Sequence, residues 1–515
     1  MRMDRPISRR DFLRRGAILS GALAAGLPGA ASLLKPTPAD AAIMGIGQEL
    51  RDILNEETVN RILQEALARG GDFADLFAEQ RFRTSIVLDD GKIDSVTYGY
   101  PRGAGVRVYY RSQTGYAFSD SIDYNALLDS ARVASRIVEN QSGSNPLNVA
   151  LKPIRPPFTI GSPSPLMPEP EKFELLQRMD AAARAADPRI ASVRVEYMDE
   201  VRDILVGTSD GAYVMDRQYL VSVVCAPVAQ SGGKRTFGLD ALGGRVDVSY
   251  FAHVNPEQTA ARAAQQAARL LDAGPAPLGS MPVVIGPGST GVLIHESLGH
   301  ALEGDGIRRG TSILAGLAGT RIASSLLRVV DDGTWANGRG SYTVDDEGTP
   351  GQRTVLVDAG VLGSYVLDRQ SAALLGLKST GSGRRMSYRS QPLPRLTNTY
   401  VDRGASDPVS LLSGIAKGLY VAQLGGGSVN PISGNFNFAV SEGYLIENGA
   451  ITRPVRGGVI VGNALETLKR IEGVGTDLAV DSARGNCTKD GQTVPVGLGQ
   501  PTVRYSSITV GGSSV

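Results

Sequence analysis

The segment Ile294-His295-Glu296-Ser297-Leu298-Gly299-His300 sets two of the chain's three histidines five residues apart around a glutamate. Paired imidazoles beside a carboxylate on one helix can offer several donors to a single zinc ion. The familiar spacing is four residues, which separates two side chains by about 40° around an α-helix; five residues separate them by about 140°. A regular helix would therefore point His295 and His300 to nearly opposite sides. Both reach one ion only if the turn between them widens into a π-bulge, or if the helix ends there. Gly299, directly before His300, lowers the cost of such a distortion. The pair thus predicts a local irregularity of the backbone.

Zinc needs a third protein donor and an open position for water. The remaining histidine, His253, stands alone, so the candidates are Glu303, Asp305, Cys225 and Cys487. Cys225 ends the apolar run Val221-Ser222-Val223-Val224-Cys225 and reads as an inert buried thiol. Cys487 lies in Gly485-Asn486-Cys487-Thr488-Lys489-Asp490-Gly491, which reads as a flexible polar loop able to approach a metal. A thiolate suits zinc better than a carboxylate does. The competing reading is a Cys225–Cys487 disulfide, which an exported location would permit. Spacing alone leaves the third ligand open. Glu296 is the candidate general base, taking a proton from metal-activated water and passing it to the leaving amine.

A second motif competes. Gly286-Pro287-Gly288-Ser289-Thr290-Gly291 fits the glycine pattern of a dinucleotide loop, which would make the chain a nucleotide-binding enzyme. Pro287 removes an N–H from the turn that would cradle phosphate, and no βαβ unit with a ribose-binding acid follows clearly. A tight turn that launches the histidine helix accounts for the same glycines.

The chain's 515 residues exceed one core. At its start, Ser8-Arg9-Arg10-Asp11-Phe12-Leu13, an uncharged stretch over 16–34 and Ala39-Asp40-Ala41 read as a twin-arginine signal peptide spanning 1–41. Export to the periplasm follows, or a membrane anchor if the signal is not cleaved. Residues 42–273 read as an N-terminal α+β region. Its expected elements are a helix over 47–69, antiparallel strands over 74–120 with a turn at Asp89-Asp90-Gly91-Lys92, and a helix over 124–139. A Pro/Ser/Asn-rich linker near 140–170 and a helix over 171–186 follow, then strands near 191–197, 202–207 and 211–226, and a helix over 256–272. Residues 279–515 read as a β-rich domain of short strands carrying one metal-binding helix over 289–301. Expected strands include 354–358, 361–367, 419–423, 436–440, 443–447 and 457–462; residues 481–515 read as glycine-rich and loop-like, with strand fragments. The fold class is α+β, an N-terminal helix-and-antiparallel-sheet region followed by the β-rich domain. A formal charge of +1 without a basic block gives nucleic acid no electrostatic footprint.

His295-Glu-Ser-Leu-Gly-His300-Ala-Leu-Glu303-Gly-Asp305 with Arg309-Gly-Thr-Ser312 resembles the TldD branch of the TldD/PmbA metalloprotease family. So do Asp345-Asp-Glu-Gly-Thr-Pro-Gly-Gln352, and Gly383-Arg-Arg continuing to Pro394-Arg-Leu-Thr-Asn-Thr399. Cys487-Thr-Lys-Asp-Gly-Gln-Thr-Val-Pro-Val-Gly-Leu-Gly-Gln-Pro501 resembles the family's C-terminal signature. The resemblance covers roughly 50–515. It implies a peptidase with one zinc per chain held by His295, His300 and Cys487, with Glu296 catalytic. It implies extended or unfolded peptide substrates and a site inside a dimer, formed with a second copy or with a metal-free PmbA-type paralogue. The export signal departs from the family's well-known cytoplasmic members. The rival from another class is a non-catalytic peptide-binding or partner subunit; loss of Glu296 or Cys487 would have supported it, and both are present.

Overall fold

The structure is a computed structural model that describes residues 48–138, 150–151 and 166–512. The signal-peptide reading of 1–41 and most of the linker reading of 140–170 lie outside the described residues.

The N-terminal region is a sheet with helices packed on it. Three long strands, Phe73–Asp89, Ile190–Thr208 and Ala212–Ser231, pair antiparallel in that order. Arg102–Tyr110 and Gln113–Ser119 extend the sheet on one side. The turn at Asp90-Gly91 lies where the sequence placed it, both residues having positive φ. The helix expected over 47–69 is two helices, Gln48–Ile53 and Glu56–Leu67. Asn55 breaks it: its side-chain oxygen accepts the Thr58 N–H at 2.9 Å and caps the second helix. The apolar spacing survives the break because Leu50, Leu54, Val59, Ile62 and Leu63 fill one core with Leu127 and Ala131 of helix Tyr124–Ser135. Helices Glu169–Ala186 and Pro256–Leu271 pack on another part of the sheet.

The strands expected near 191–197 and 202–207 are one strand, Ile190–Thr208. The polar residues between them suggested a break, yet they are buried because their charges are answered. Lys172 Nζ lies 2.6 Å from Asp199 Oδ2, and Arg202 Nε donates to Glu79 Oε2 at 2.9 Å. Buried charges paired in this way are tolerated where unpaired ones are not.

In the C-terminal domain five strands close a ring. Gly279–Ile285 pairs with Lys417–Val429, which pairs with Asn435–Glu447. Asn435–Glu447 pairs with Gly458–Asn463, and Val503–Gly512 completes the circuit back to Gly279–Ile285. The strands expected over 436–440 and 443–447 are thus a single strand, and that expected over 361–367 shrinks to Val361–Leu362. The strand fragments expected in the final stretch are more extensive than its loop-like reading: it contributes the ring strand Val503–Gly512 and three shorter strands. Its many glycines masked strands whose pairing comes from distant residues. A second, six-stranded sheet includes Val329–Asp332, Asn398–Val401 and Gly497–Gln500. The histidine segment packs in the core shared by the two: Leu293, Ile294, Leu298 and Leu302 bury against residues such as Val283, Val421, Leu396 and Val329.

Candidate metal centre

The glycine-rich turn before the histidines serves packing. Gly288 has φ +87° and starts the helical segment. Its N–H donates to Gln500 O at 3.0 Å, and Gln500 Nε2 donates to Gly286 O at 3.2 Å. A Cβ on Gly291 would stand 2.4 Å from Gly499 O. These contacts dock the turn on strand Gly497–Gln500, which supports the tight-turn reading over a phosphate cradle.

The backbone irregularity demanded by the five-residue spacing is present. One short α-turn, Val292–Ile294, passes into a π-helical stretch, His295–Gly299, and then into a 3₁₀ turn, His300–Leu302. The His300 N–H bonds to His295 O, the five-residue ring that stacks residue 300 over residue 295. The two imidazole centroids are 5.1 Å apart and nearly perpendicular. Gly299 plays a different part from the one anticipated. Its φ of −57° is ordinary for any residue, and its small size matters because a Cβ there would meet Leu396 Cδ1 at 2.6 Å.

Cys487 is not in a flexible loop. It sits on a hairpin, Asn486–Lys489 with Gln492–Pro495, opposite Val494, and is buried with Val494 and Val496. Asp490 and Gly491, both at positive φ, form its turn. Arg395 fastens the hairpin by donating to Gln492 O at 3.0 Å and to Cys487 O. Cys487 Sγ is thereby placed 3.3 Å from His300 Nε2. One nitrogen of each histidine and this sulfur lie within 4.8 Å of one another. Both cysteines are free thiols, which removes the disulfide reading; Cys225 is a core residue whose thiol burial pushes up to about 12.

Glu303 and Asp305, the other candidate ligands, stand behind this cluster. Glu303 Oε2 is 3.1 Å from His300 Nδ1, and Lys489 Nζ is 3.0 Å from that same oxygen and 2.6 Å from Asp305 Oδ1. Lys489 reaches them because it lies two residues from Cys487 on one strand and so shares its face. Sequence reasoning passed over Lys489 and Arg395; the alternation Cys487-x-Lys489 was the available signal for the first.

The electrostatics favour charged donors. Burial alone would raise the Cys487 thiol, but the neighbouring His295 and His300 imidazoles outweigh it and bring it down to about 4. Burial likewise opposes a charged His300, and the Glu303 carboxylate and Cys487 reverse this, holding it well above the usual histidine range. Burial of Glu303 is outweighed by His300 and Lys489, which hold its carboxyl down to about 2.

His295 provides the test of fit for a metal. It is 1% exposed, yet neither ring nitrogen has a hydrogen-bond partner among the described residues. Buried polar groups are rarely left so, and an orphaned imidazole beside a thiolate suits a soft-to-borderline cation. The 3.3 Å between His300 Nε2 and Cys487 Sγ is close to the roughly 3.5 Å expected of nitrogen and sulfur on one tetrahedral zinc. Glu296 is partly exposed, with Oε2 3.7 Å from His300 Nε2, so a carboxylate within reach of solvent borders the donor cluster.

Three family profiles match the chain: PmbA/TldA metallopeptidase domain 1 over 74–138, the central domain over 162–271 and the C-terminal domain over 278–512. A metalloprotease TldD homologue of Haemophilus influenzae is 38% identical over 468 residues, covering 90% of this chain and 97% of that protein. A zinc metalloprotease TldD homologue of Saccharolobus solfataricus is 28% identical over 454 residues, covering 88% and 99%. Among solved structures, TldE from Thermococcus kodakarensis superposes with a TM-score of 0.71 at 20% identity, over 88% of this chain and 100% of that one.

Proposed function

The chain belongs to the PmbA/TldD metallopeptidase family, and on that footing we propose that it is a zinc peptidase acting on extended or unfolded peptides. His295, His300 and Cys487 are the metal ligands, one zinc per chain, and Glu296 is the general base. The observation that carries this reading is the convergence of two imidazoles from a π-turn with a sulfur from a hairpin 187 residues away.

When bound, zinc supplies Lewis acidity toward a peptide carbonyl and acidifies water. Glu296 accepts the proton of the attacking water and delivers it to the leaving nitrogen. Its partial exposure admits water to the carboxylate, and its place beside His300 Nε2 keeps that proton close to the reacting bond. Glu303 receives the Nδ1–H of His300, which fixes the ring's tautomer and turns Nε2 toward the sulfur. Lys489 and Arg395 hold the Glu303 carboxylate and the hairpin in place.

The fold also offers a place for an extended chain, though none of His295, Glu296, His300 and Cys487 lines it. A cleft of about 490 Å³ lies between two sheet-edge strands, Asp240–Gly244 and Ala479–Asp481. It borders Ser289 at the start of the histidine segment and Arg484, three residues before Cys487. A peptide laid there as an added strand would be bound through its backbone, with little demand on its side chains. The family relationship supports assembly with a second copy or with a TldE-like, metal-free partner. The sequence of residues 1–41 supports twin-arginine export to the periplasm.

The test is cleavage of an unstructured peptide by the zinc-loaded protein and by Glu296→Ala. Activity should fall about 10²–10⁴-fold in the variant with zinc content unchanged. Undiminished cleavage by Glu296→Ala would remove the proposed base.

A further inference from the structure

Where the long N-terminal strands meet the C-terminal domain, two buried arginines have no ion pair with a carboxylate among the described residues. Arg245 is 3% exposed. Its backbone N–H donates to Asn337 O at 3.0 Å, but its guanidinium has no hydrogen bond or ion pair with any described residue, and its Nε is fully enclosed. Arg384, 4% exposed, donates to Leu396 O at 2.6 Å and Pro495 O at 2.7 Å and stacks over Tyr342. It too has no ion pair with a carboxylate among the described residues. Arg202, Arg245 and Arg384 line one small cavity together with Gln218, Asp345 and Asp346.

The two acids are already engaged elsewhere. Asp346 Oδ2 accepts the Arg385 N–H at 2.7 Å, and Oδ1 lies 3.2 Å from Arg202 Nη2. Asp345 Oδ1 accepts the Glu347 and Thr349 N–H groups at 3.0 and 2.8 Å, and Oδ2 accepts that of Gly383 at 2.9 Å. Arg202 is answered by Asp346 and by Glu79, whereas neither Arg245 nor Arg384 has a carboxylate at ion-pair distance among the described residues. Burial and the adjacent Arg384 and Arg202 push the Arg245 guanidinium down to about 9, against a weaker opposite pull from Glu200 and Asp216. A buried guanidinium left unpaired in this way is strongly destabilising unless a counter-ion enters.

We propose that this cavity is a binding site for one small monovalent anion, chloride in the cell, held between Arg245 and Arg384. The space for the centre of a water-sized guest is only about 10 Å³, enough for a single small particle. A water molecule fits but leaves the charge unanswered; phosphate, sulfate and a peptide carboxylate are too large. Arg245 follows an edge strand of the N-terminal sheet, while Arg384 grips Pro495, which registers with Asn486 beside Cys487. The anion therefore ties the N-terminal sheet to the base of the hairpin that carries the sulfur. It acts on the joint between the two regions and takes no part in peptide-bond chemistry.

The test uses the full zinc-loaded chain. Crystals soaked in sodium bromide should show an anomalous peak between Arg245 and Arg384. In solution, at ionic strength held constant with sodium gluconate, the thermal midpoint should rise saturably with chloride by about 2 °C, and Arg245→Met should abolish that rise. If Arg245→Met does not fold, the bromide measurement on the unaltered chain still decides. A cavity holding only water in bromide-soaked crystals, or a midpoint indifferent to the replacement of gluconate by chloride, would overturn the site.

Discussion

Replacing Glu303 by glutamine keeps the side chain's shape and an acceptor for the His300 Nδ1–H while removing its charge. The carboxylate is 3% exposed and 3.1 Å from His300 Nδ1, so little solvent screens the pair. Losing such an outer partner of a metal-bound histidine typically weakens metal binding about 10–100-fold. Two features place this case toward the lower end. Lys489 shares the same oxygen at 3.0 Å and already neutralises part of its charge, and glutamine still accepts the Nδ1–H. Lys489 is not stranded by the change, because Asp305 Oδ1 remains 2.6 Å away. The expected loss is about 10–30-fold in zinc affinity, about 1.4–2 kcal/mol, read by competition with a chelator at neutral pH. A second reading comes from acid. The folded carboxyl is depressed from 4.5 to about 2, so its stabilisation is complete above about pH 4.5 and disappears as pH falls through about 2. The metal-free glutamine variant lacks it and should unfold at a higher pH than the parent, as followed by circular dichroism. Unchanged zinc affinity together with an unchanged acid transition would refute the assignment of Glu303 as the group that orients His300.

Metal loading should be coupled to one proton from the His300–Cys487 pair at pH 7. The thiol, held near 4, is already ionised, whereas His300, raised well above its ordinary value, is protonated and must lose its proton. Calorimetry in buffers of different ionisation enthalpy measures this, and release of two protons by the pair would contradict it. Gly299→Ala should destabilise the chain by about 1–2 kcal/mol through overpacking against Leu396 and loosen zinc retention, seen as a lower denaturation midpoint and faster loss to chelator; a neutral result would mean that Leu396 moves aside freely. Replacing Arg9 and Arg10 by lysine should trap the protein in the cytoplasm, as judged by fractionation; an unchanged periplasmic pool would dispose of the twin-arginine reading.

The candidate centre was more legible in the sequence than the strands around it, for a physical reason. A five-residue histidine spacing is incompatible with a straight helix, so chemistry and geometry together forced the prediction of a distorted turn, and the π-helical stretch His295–Gly299 answers it. Cys487 was harder to place. Its burial depends on Val494 across a hairpin and on Arg395 from another part of the chain, and neither contact leaves a periodic signal. The same holds for Ile190–Thr208, whose polar centre reads as a break until Lys172 and Glu79 are brought beside it. The glycine-rich C-terminal strands read only as fragments because glycine weakens a strand locally, while pairing within a closed ring supplies what the residues lack. Gly299 was noticed for its backbone freedom and proved to matter for its size.

X-ray absorption at the zinc edge of the loaded protein addresses the centre most directly. Two imidazole nitrogens at about 2.0 Å and one sulfur at about 2.3 Å are expected, with the sulfur shell absent from Cys487→Ser. A first shell of nitrogen and oxygen alone in the unaltered protein would contradict this ligand set.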